Sequence, residues 1–236
     1  MLKEKNRTET MTLNMGPHHP STHGVLRVVL ELDGEVVKKA TPHIGYLHRG
    51  LEKLAEHRTY HQTITLTDRM DYLGPMINNL GYVLTVEKIL DVKVPLRAQY
   101  IRVLLSELTR IQSHLVWMGT HVLDIGAMTP VLYAFREREK ILDLFEMVCG
   151  ARMNPSYFRV GGLPYDLPDG FTGKVKEFVE MMPSRIDTYE DLITNNKIWM
   201  IRTKEVGVIS RDEAINLGLS GPALRACGVD WDIRKA

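Results

Sequence analysis

A chain of 236 residues, 44% of them hydrophobic, is long enough to bury a core as one large domain or two small ones. Its 30 Lys and Arg against 29 Asp and Glu leave a formal charge of +1, so no basic excess marks a nucleic-acid surface. Its two cysteines, Cys149 and Cys227, stand far apart without a CxxC pair, which argues against a disulfide scaffold, a zinc site or a locally ligated iron–sulfur cluster and for a reduced, cytosolic interior.

Residues 1–12 are polar and charged and are expected to fray or to serve as a docking arm. The next stretch, Met15-Gly-Pro-His-His-Pro-Ser-Thr-His23-Gly24, holds three histidines, two prolines and two glycines. Pro17 and Pro20 fix φ and bias their predecessors toward extended geometry, so the backbone is stiff, while Gly24 permits close approach of a neighbour. His23 is therefore presented from a rigid turn, where an imidazole titrating near neutrality can pass protons. The same composition suits an exposed arm or an adventitious metal chelator. Val25 to Leu32 and Glu35 to Ala40 are β-branched runs separated by Asp33-Gly34, the signature of a hairpin. Thr41 to Arg49 reads as a loop.

A helix is expected from about Leu51, with Leu51, Leu54 and Ala55 on one face, and another from Tyr60 to Leu66. His57 and His61 have the four-residue spacing of zinc ligands, but Arg58 stands where a zincin carries its Glu, so packed or solvent-facing histidines are the plainer reading. Pro75 suits the first position of a helix running to Leu90, and Tyr72 sits in the preceding junction as either a core phenol or a donor aimed into a cleft. Pro95 opens the longest helix, to about Gly126, with an apolar stripe through Leu96, Tyr100, Val103, Leu104, Leu108, Ile111, Leu115, Met118, Val122 and Ile125. Beside it run His114, Trp117, His121 and Asp124. A carboxylate at position 124 lies at the negative end of the helix dipole, where it is either simply exposed or paired with a partner such as a histidine. Pro130 to Arg152 is the next helix, with Leu132, Phe135, Ile141, Leu142, Phe145 and Val148 as candidate inward residues. Arg159 to Pro168 breaks the pattern; a helix from Phe171 toward Asn195 is interrupted at Pro183; Ser210 and Glu213 form a capping box for a helix to Leu217, and Leu219 to Ala223 is a turn.

These elements predict an α+β fold, mainly α, in which an N-terminal arm and β-hairpin or small sheet (residues 1–50) packs beside a long-helix bundle (residues 51–236). No apolar run approaches the ~18 residues that span a bilayer and no signal peptide opens the chain, so any membrane role is peripheral. No Rossmann glycine fingerprint, phosphate loop or Gly-x-Ser-x-Gly elbow occurs, which leaves nicotinamide binding, nucleotide hydrolysis and the common elbow hydrolases unsupported.

Gly16-Pro-His18-His-Pro-Ser-Thr-His23-Gly24, Gly45-Tyr-Leu-His-Arg49-Gly50-Leu-Glu52-Lys53, Thr67-Asp-Arg69-Met-Asp71-Tyr72 and Gly150-Ala-Arg152-Met153, in this order, resemble the D subunit of NADH-quinone oxidoreductase, respiratory complex I. The likeness runs from Met11 to Ala236 and implies roughly the N-terminal three-fifths of the family's length, a bundle incomplete at its C-terminus. It further implies a fold like the large subunit of nickel–iron hydrogenases, whose metals are held through an Arg-x-Cys-Gly-x-Cys motif. Here that stretch reads Arg69-Met-Asp71-Tyr72-Leu-Gly74, without either thiolate, so the soft metal centre cannot be held and the cavity is free for a quinone headgroup.

The resemblance implies that His23 and Tyr72 bind the quinone, that Asp124 pairs with His23, and that Arg49 lies near the terminal iron–sulfur cluster of an adjoining subunit. The family commonly has His after Gly-Ala-Arg-Met, near that cluster, where this chain has the non-ionisable Asn154; it usually has Gln where His18 stands. The implied setting is peripheral, on the cytoplasmic side of the cell inner membrane, beside the cluster-bearing subunit, a neighbour like the family's C subunit and a membrane arm, with NAD bound elsewhere and no metal or cluster ligated by this chain. Alternatives are the equivalent subunit of a complex fed by ferredoxin or another donor, and a scaffold piece with no site of its own.

Overall fold

The computed structural model describes residues 10–22 and 24–235. Three antiparallel strands, β1 (Met11–Met15), β2 (Arg27–Asp33) and β3 (Val36–His43), form a sheet in that order. The expected hairpin is β2–β3. Asp33 pairs with Val36, so the two-residue turn is Gly34-Glu35, one position later than the sequence suggests, with Gly34 at φ 62°. β3 also continues through Thr41 to His43, and Pro42 is tolerated there because an edge strand need not donate on its outer side. Of the expected N-terminal arm, residues 1–9 lie outside the described residues, whereas Met11 and Thr12 already belong to β1. Its backbone pairs from Met11 with Leu32 to Met15 with Val28, and Arg27 Nε and Nη2 donate to Asn14 Oδ1 at 3.1 and 2.8 Å.

The rest of the described chain is mainly helical: α1 (Leu51–Ala55), α2 (Tyr60–Thr67), α3 (Pro75–Leu90), α4 (Leu96–Asp124), α5 (Thr129–Cys149), α6 (Phe171–Tyr189), α7 (Lys197–Thr203), α8 (Arg211–Asn216) and α9 (Gly221–Ala226). Local chemistry sets several of the ends. Thr59 and Gln62 make a reciprocal capping box at α2, Pro75 occupies the first turn of α3, and the Ser210 hydroxyl accepts from the Glu213 amide at α8. Sequence periodicity does not announce α7, which Asn196 caps by accepting from the Ile198 and Trp199 amides at 2.9 and 3.2 Å. The stretch from Leu219 is not only a turn, since Gly221–Ala226 is helical with Pro222 in its first turn. α6 passes through Pro183 and gives way to a π-turn at Glu190–Thr194.

The chain divides into two compact units: residues up to Val116 together with Arg138–Phe171, and Trp117–Glu137 together with the residues from Thr172 on. In the first, α2 packs on α3, and Ile64, Met76, Val83, Leu105, Phe145 and Phe158 are fully buried. In the second, the Tyr189 hydroxyl donates to Tyr133 O at 3.4 Å, and the fully buried Glu137 carboxylate is met by Arg136 at 2.5 Å and Arg185 at 3.4 Å. His121 stacks on Trp117 and meets Trp199 edge-on, with ring centroids 5.6 and 5.5 Å away.

The expected stripe of α4 is out of phase over its first turns. Leu96, Tyr100 and Val103 are 66%, 70% and 57% exposed, whereas Ile101, Arg102, Leu105, Thr109 and Gln112 are buried. The reason is Arg102. Its Nη1 and Nη2 donate to Glu87 Oε2 and Oε1 at 3.0 and 2.6 Å, and Nη2 also reaches the carbonyls of Arg159 and Gly162 at 2.7 and 3.1 Å. The Gly161 amide adds a bond to Glu87 Oε1 at 2.8 Å. An apolar-stripe rule places no guanidinium in a core, yet a charge with this set of partners can stay there and turns the helix accordingly. Burial pushes the Glu87 carboxyl up, but the Arg102 hydrogen bonds, the Gly161 amide and the Arg102 charge outweigh it and hold the group below its ordinary range. Along α5 the expected inward residues divide: Ile141, Leu142, Phe145 and Val148 are buried, while Leu132 and Phe135 are exposed.

Replacing Arg102 by Met leaves the Glu87 carboxylate buried without its cation. Arg102→Met is expected to cost about 3–5 kcal/mol, and Glu87→Gln less, because the amide keeps one acceptor for Arg102. Urea unfolding of the two variants beside the parent at pH 7 checks the order.

Candidate functional site

Residues 68–74 form the turn between α2 and α3 that carries Tyr72. The Tyr72 side chain is 51% exposed, so of its two sequence readings the buried core phenol is excluded within this chain. The backbone beneath it is fixed by Asp71. Asp71 Oδ1 accepts from the Leu73 amide at 3.0 Å, and its carbonyl accepts from the Gly74 amide at 3.0 Å and from Asn78 Nδ2 at 3.3 Å. A Cβ at position 74 would lie 2.8 Å from Asp71 Oδ2, so a side chain there would have to displace that carboxylate oxygen. Asp71 and Gly74 are thus joined within the turn by a backbone hydrogen bond.

The turn opens with Asp68, which is fully buried. Asn79 Nδ2, from α3, donates to Asp68 Oδ1 at 2.7 Å, and the Thr67 hydroxyl lies 2.6 Å from Asn79 Oδ1. Asp68 Oδ2 has no hydrogen-bond partner. Burial pushes this carboxyl up to about 6 from its ordinary 3.8, against the pull of the Asn79 bond, the Ser156 amide and the charges of Arg69 and Arg159.

Ser156 belongs to the loop after α5, the second part of the site. Asn154 and Ser156 take φ values of 52° and 43°, left-handed conformations that a non-glycine residue holds only when its surroundings impose them. Arg159 Nη1 donates to the Ser156 carbonyl, and to Phe158 O at 2.9 Å. The Tyr157 hydroxyl donates to Tyr165 O at 2.5 Å. At the loop's start Arg152 is drawn back onto α5 by Glu139, by Asp143 at 2.5 Å and by Glu146 at 3.4 Å. Asn154 Oδ1 is buried and has no hydrogen-bond partner. Burial raises the Cys149 thiol at the end of α5, and the Asp68 charge adds to the effect.

The structure therefore brings the Tyr72 turn and the Asn154 loop together within the first unit, through Asp68 and Ser156. Arg49 is exposed on the loop ahead of α1, after exposed Ile44, Tyr46 and Leu47, and the left-handed Gly50 (φ 62°) starts the helix behind it. Asp124 is the exposed last residue of α4, in the second unit. His23 lies outside the described residues. Before it, Pro20–Thr22 form a 3-10 turn in which the buried Thr22 hydroxyl donates to His19 O at 2.8 Å. Gly16 is required there, since a Cβ would lie 1.9 Å from Leu26 O. His57 and His61 do not share a helix, because α1 ends at Ala55 and α2 begins at Tyr60. Among the described residues no group of three or more His, Cys, Asp and Glu is placed to hold a metal.

Sequence reasoning passes over Asp68, Asn79, Ser156 and the Glu87–Arg102 pair. Asp68 stands inside the Thr67-to-Tyr72 motif, but nothing in the spacing tells a buried aspartate from a solvated one.

Residues 124–236 match the family described as the respiratory-chain NADH dehydrogenase 49 Kd subunit. Among curated relatives, the NADH-quinone oxidoreductase D subunit of Geotalea uraniireducens is 66% identical over 228 residues, covering 97% of this chain and 58% of the relative. The D subunit of Citrifermentans bemidjiense is 67% identical over 228 residues, covering 97% and 59%, and the D 2 subunit of Chloroflexus aurantiacus is 65% identical over 230 residues, covering 98% and 56%. The chain thus spans less than three-fifths of the length of these relatives. It belongs to the family of NADH-quinone oxidoreductase D subunits.

Because the folded Asp68 carboxyl titrates at about 6 and an unfolded one near 3.8, folding takes up a proton between those values. The parent should therefore lose stability as pH rises from about 4 to about 6 and then level off. Asp68→Asn, neutral and of the same shape, should lack this loss, so its urea midpoint should gain on the parent's across that window and keep the gain at pH 8.

Proposed function

We propose that this chain is the quinone-site subunit of a membrane-associated, proton-translocating NADH-quinone oxidoreductase, active only in the assembled complex. The observation that carries the reading is the exposed Tyr72 phenol on a turn whose backbone is pinned at both ends, by Asp68 and by Asp71 with Gly74. A donor that must meet a ligand at fixed geometry is expected on such a support.

Reducing a quinone to a quinol takes two electrons and two protons. The electrons come from the iron–sulfur cluster of an adjoining subunit, and NAD is bound elsewhere in the complex. On this chain Tyr72 and His23 donate hydrogen bonds to opposite carbonyl oxygens of the headgroup. Those bonds strengthen as negative charge builds on the oxygens, which favours the reduced over the oxidised ligand. Asp124 stabilises the imidazolium of His23 until its proton passes to the reduced headgroup oxygen. Arg49 lies near the partner's cluster, where its permanent charge favours the reduced state. Asn154, also near it, holds no proton.

The fold is that of the hydrogenase large subunit with its metal ligands gone, residues 1–50 forming the quinone-loop region and residues 51–236 the helical one. Among the described residues no helix is long and apolar enough to cross a membrane, which supports a peripheral seat held by partners. Those partners are the cluster-bearing subunit, a neighbour like the family's C subunit and the membrane arm, on the cytoplasmic side of the inner membrane.

Tyr72→Phe should lower quinone reduction tenfold or more, about the value of one donor to a developing oxyanion, and leave ferricyanide reduction, which draws electrons upstream, intact. His23→Ala should be more severe, and Asp124→Asn should move the acid limb of kcat. Both activities, measured in the same membranes at matched subunit content, decide the matter: a parallel fall, or a Tyr72→Phe variant that still reduces quinone, makes these residues structural. Arg49→Met should lower the midpoint potential of the nearest cluster in a redox titration of the complex.

A further inference from the structure

We infer that Arg202 is the positioning residue for Asp124: from α7 its guanidinium takes the carbonyl of Ile125, the residue after the end of α4, and so fixes the helix end that carries the carboxylate. The inference rests on the quinone-site reading above, in which Asp124 pairs with His23. Three features of the second unit carry it. First, α4 is closed by the backbone pattern that left-handed Gly126 (φ 103°) allows: the Gly126 amide donates to Leu123 O at 2.9 Å, the Ala127 amide to Val122 O at 3.1 Å and the Ile125 amide to His121 O at 3.3 Å. The Ile125 carbonyl, next to Asp124, lies beyond the donors of the helix itself. Second, Arg202 Nη1, from 77 residues further along the chain, donates to that carbonyl. The approach is close, since a Cβ at position 126 would stand 3.1 Å from the same nitrogen. Third, α7 meets α4 again one turn earlier, where Trp199 packs edge-on against the His121 ring at 5.5 Å while Trp117 stacks on the same ring at 5.6 Å. Trp199 and Arg202 are three residues apart and so share one face of α7.

The end of a helix is a poor place for a functional carboxylate. Its terminal carbonyls lack intrahelical donors, so the last turn loosens easily, and the negative end of the helix dipole opposes the charge. Arg202 answers both difficulties. Its hydrogen bond closes the last turn onto α7, and its permanent charge lies at the end of α4 where a cation offsets the dipole. Asp124 then leaves the backbone from a fixed turn, as pairing with one imidazole requires. Arg202 acts through Asp124 and not on the headgroup. Only Nη1 is used, at a single carbonyl, so a lysine ammonium can take over both the bond and the charge.

The test is a double-mutant cycle on quinone reduction by the assembled complex in membranes, at matched subunit content, with ferricyanide reduction measured alongside. Arg202→Met should lower kcat roughly tenfold with KM and ferricyanide reduction unchanged, because a small misplacement of a reacting group costs on that order. Asp124→Asn should lower kcat as well, and the double variant should be no slower than Asp124→Asn alone, since without the carboxylate Arg202 has nothing to position. Arg202→Lys should recover most of the loss. Gly126→Ala, which crowds the guanidinium off the Ile125 carbonyl with Arg202 intact, should share the fall in kcat and takes the place of Arg202→Met in the cycle if that variant does not assemble. Losses that multiply in the double variant make Arg202 a general support of the fold and overturn the inference. So do a parent-like Arg202→Met, an Arg202→Lys as slow as Arg202→Met, and a parallel fall in ferricyanide reduction. If Asp124→Asn reduces quinone normally, the quinone-site reading itself fails at Asp124; if Asp124→Asn is slow while Arg202→Met matches the parent, only the role of Arg202 does.

Discussion

The buried ion pair of Glu87 and Arg102 is the constraint from which the first unit is built. Two charges removed from water persist only when nearly every polar atom finds a partner. Here Arg102 reaches both carboxylate oxygens and two carbonyls, while Glu87 takes the Gly161 amide as well. The pair thereby joins α3, α4 and the turn at residues 159–162 at one point. That turn is closed on itself by reciprocal Arg159 and Gly162 backbone bonds of 3.1 Å, with Gly161 at φ 89°, a conformation that lets its amide point inward.

Fixing this turn fixes what lies before it. The loop from Asn154 to Phe158 runs into Arg159, whose side chain folds back onto the carbonyls of Ser156 and Phe158. Left-handed geometry at two non-glycine residues is sustained because both ends are held, by Arg152 on α5 and by the Glu87–Arg102 hub. Elsewhere in the unit Asp68 opens the turn that bears Tyr72, and Asn79 ties it to α3.

The candidate residues divide according to how they are held. Tyr72 and Asn154 stand on segments tied to a buried polar network, whereas Arg49 stands on an exposed loop with apolar Ile44, Tyr46 and Leu47 ahead of it. The proposed function calls for both kinds of support. A headgroup donor must be positioned to within a fraction of an ångström by its own chain, while a cation acting on a partner's cluster works through a longer-ranged field and can take its final position from the partner surface.

By itself the sequence determined the hairpin, the longer helices and the family likeness. Proline at a helix start, hydroxyl caps and Gly34 act within a few residues, so the hairpin, the start of α3 and the cap of α8 could be read directly from composition and spacing. The motifs from Gly16 to Met153 carried the resemblance, because family likeness is written in residue identity. The sequence could not decide the phase of α4, the pairing of β1 or the burial of Asp68. Leu96, Tyr100 and Val103 look like core by periodicity, and Arg102 and Asp68 look like surface by charge. In each case the outcome depends on partners outside the local segment, Glu87 and Gly162 for Arg102, β2 for β1 and Asn79 for Asp68, which only folding brings close enough to meet.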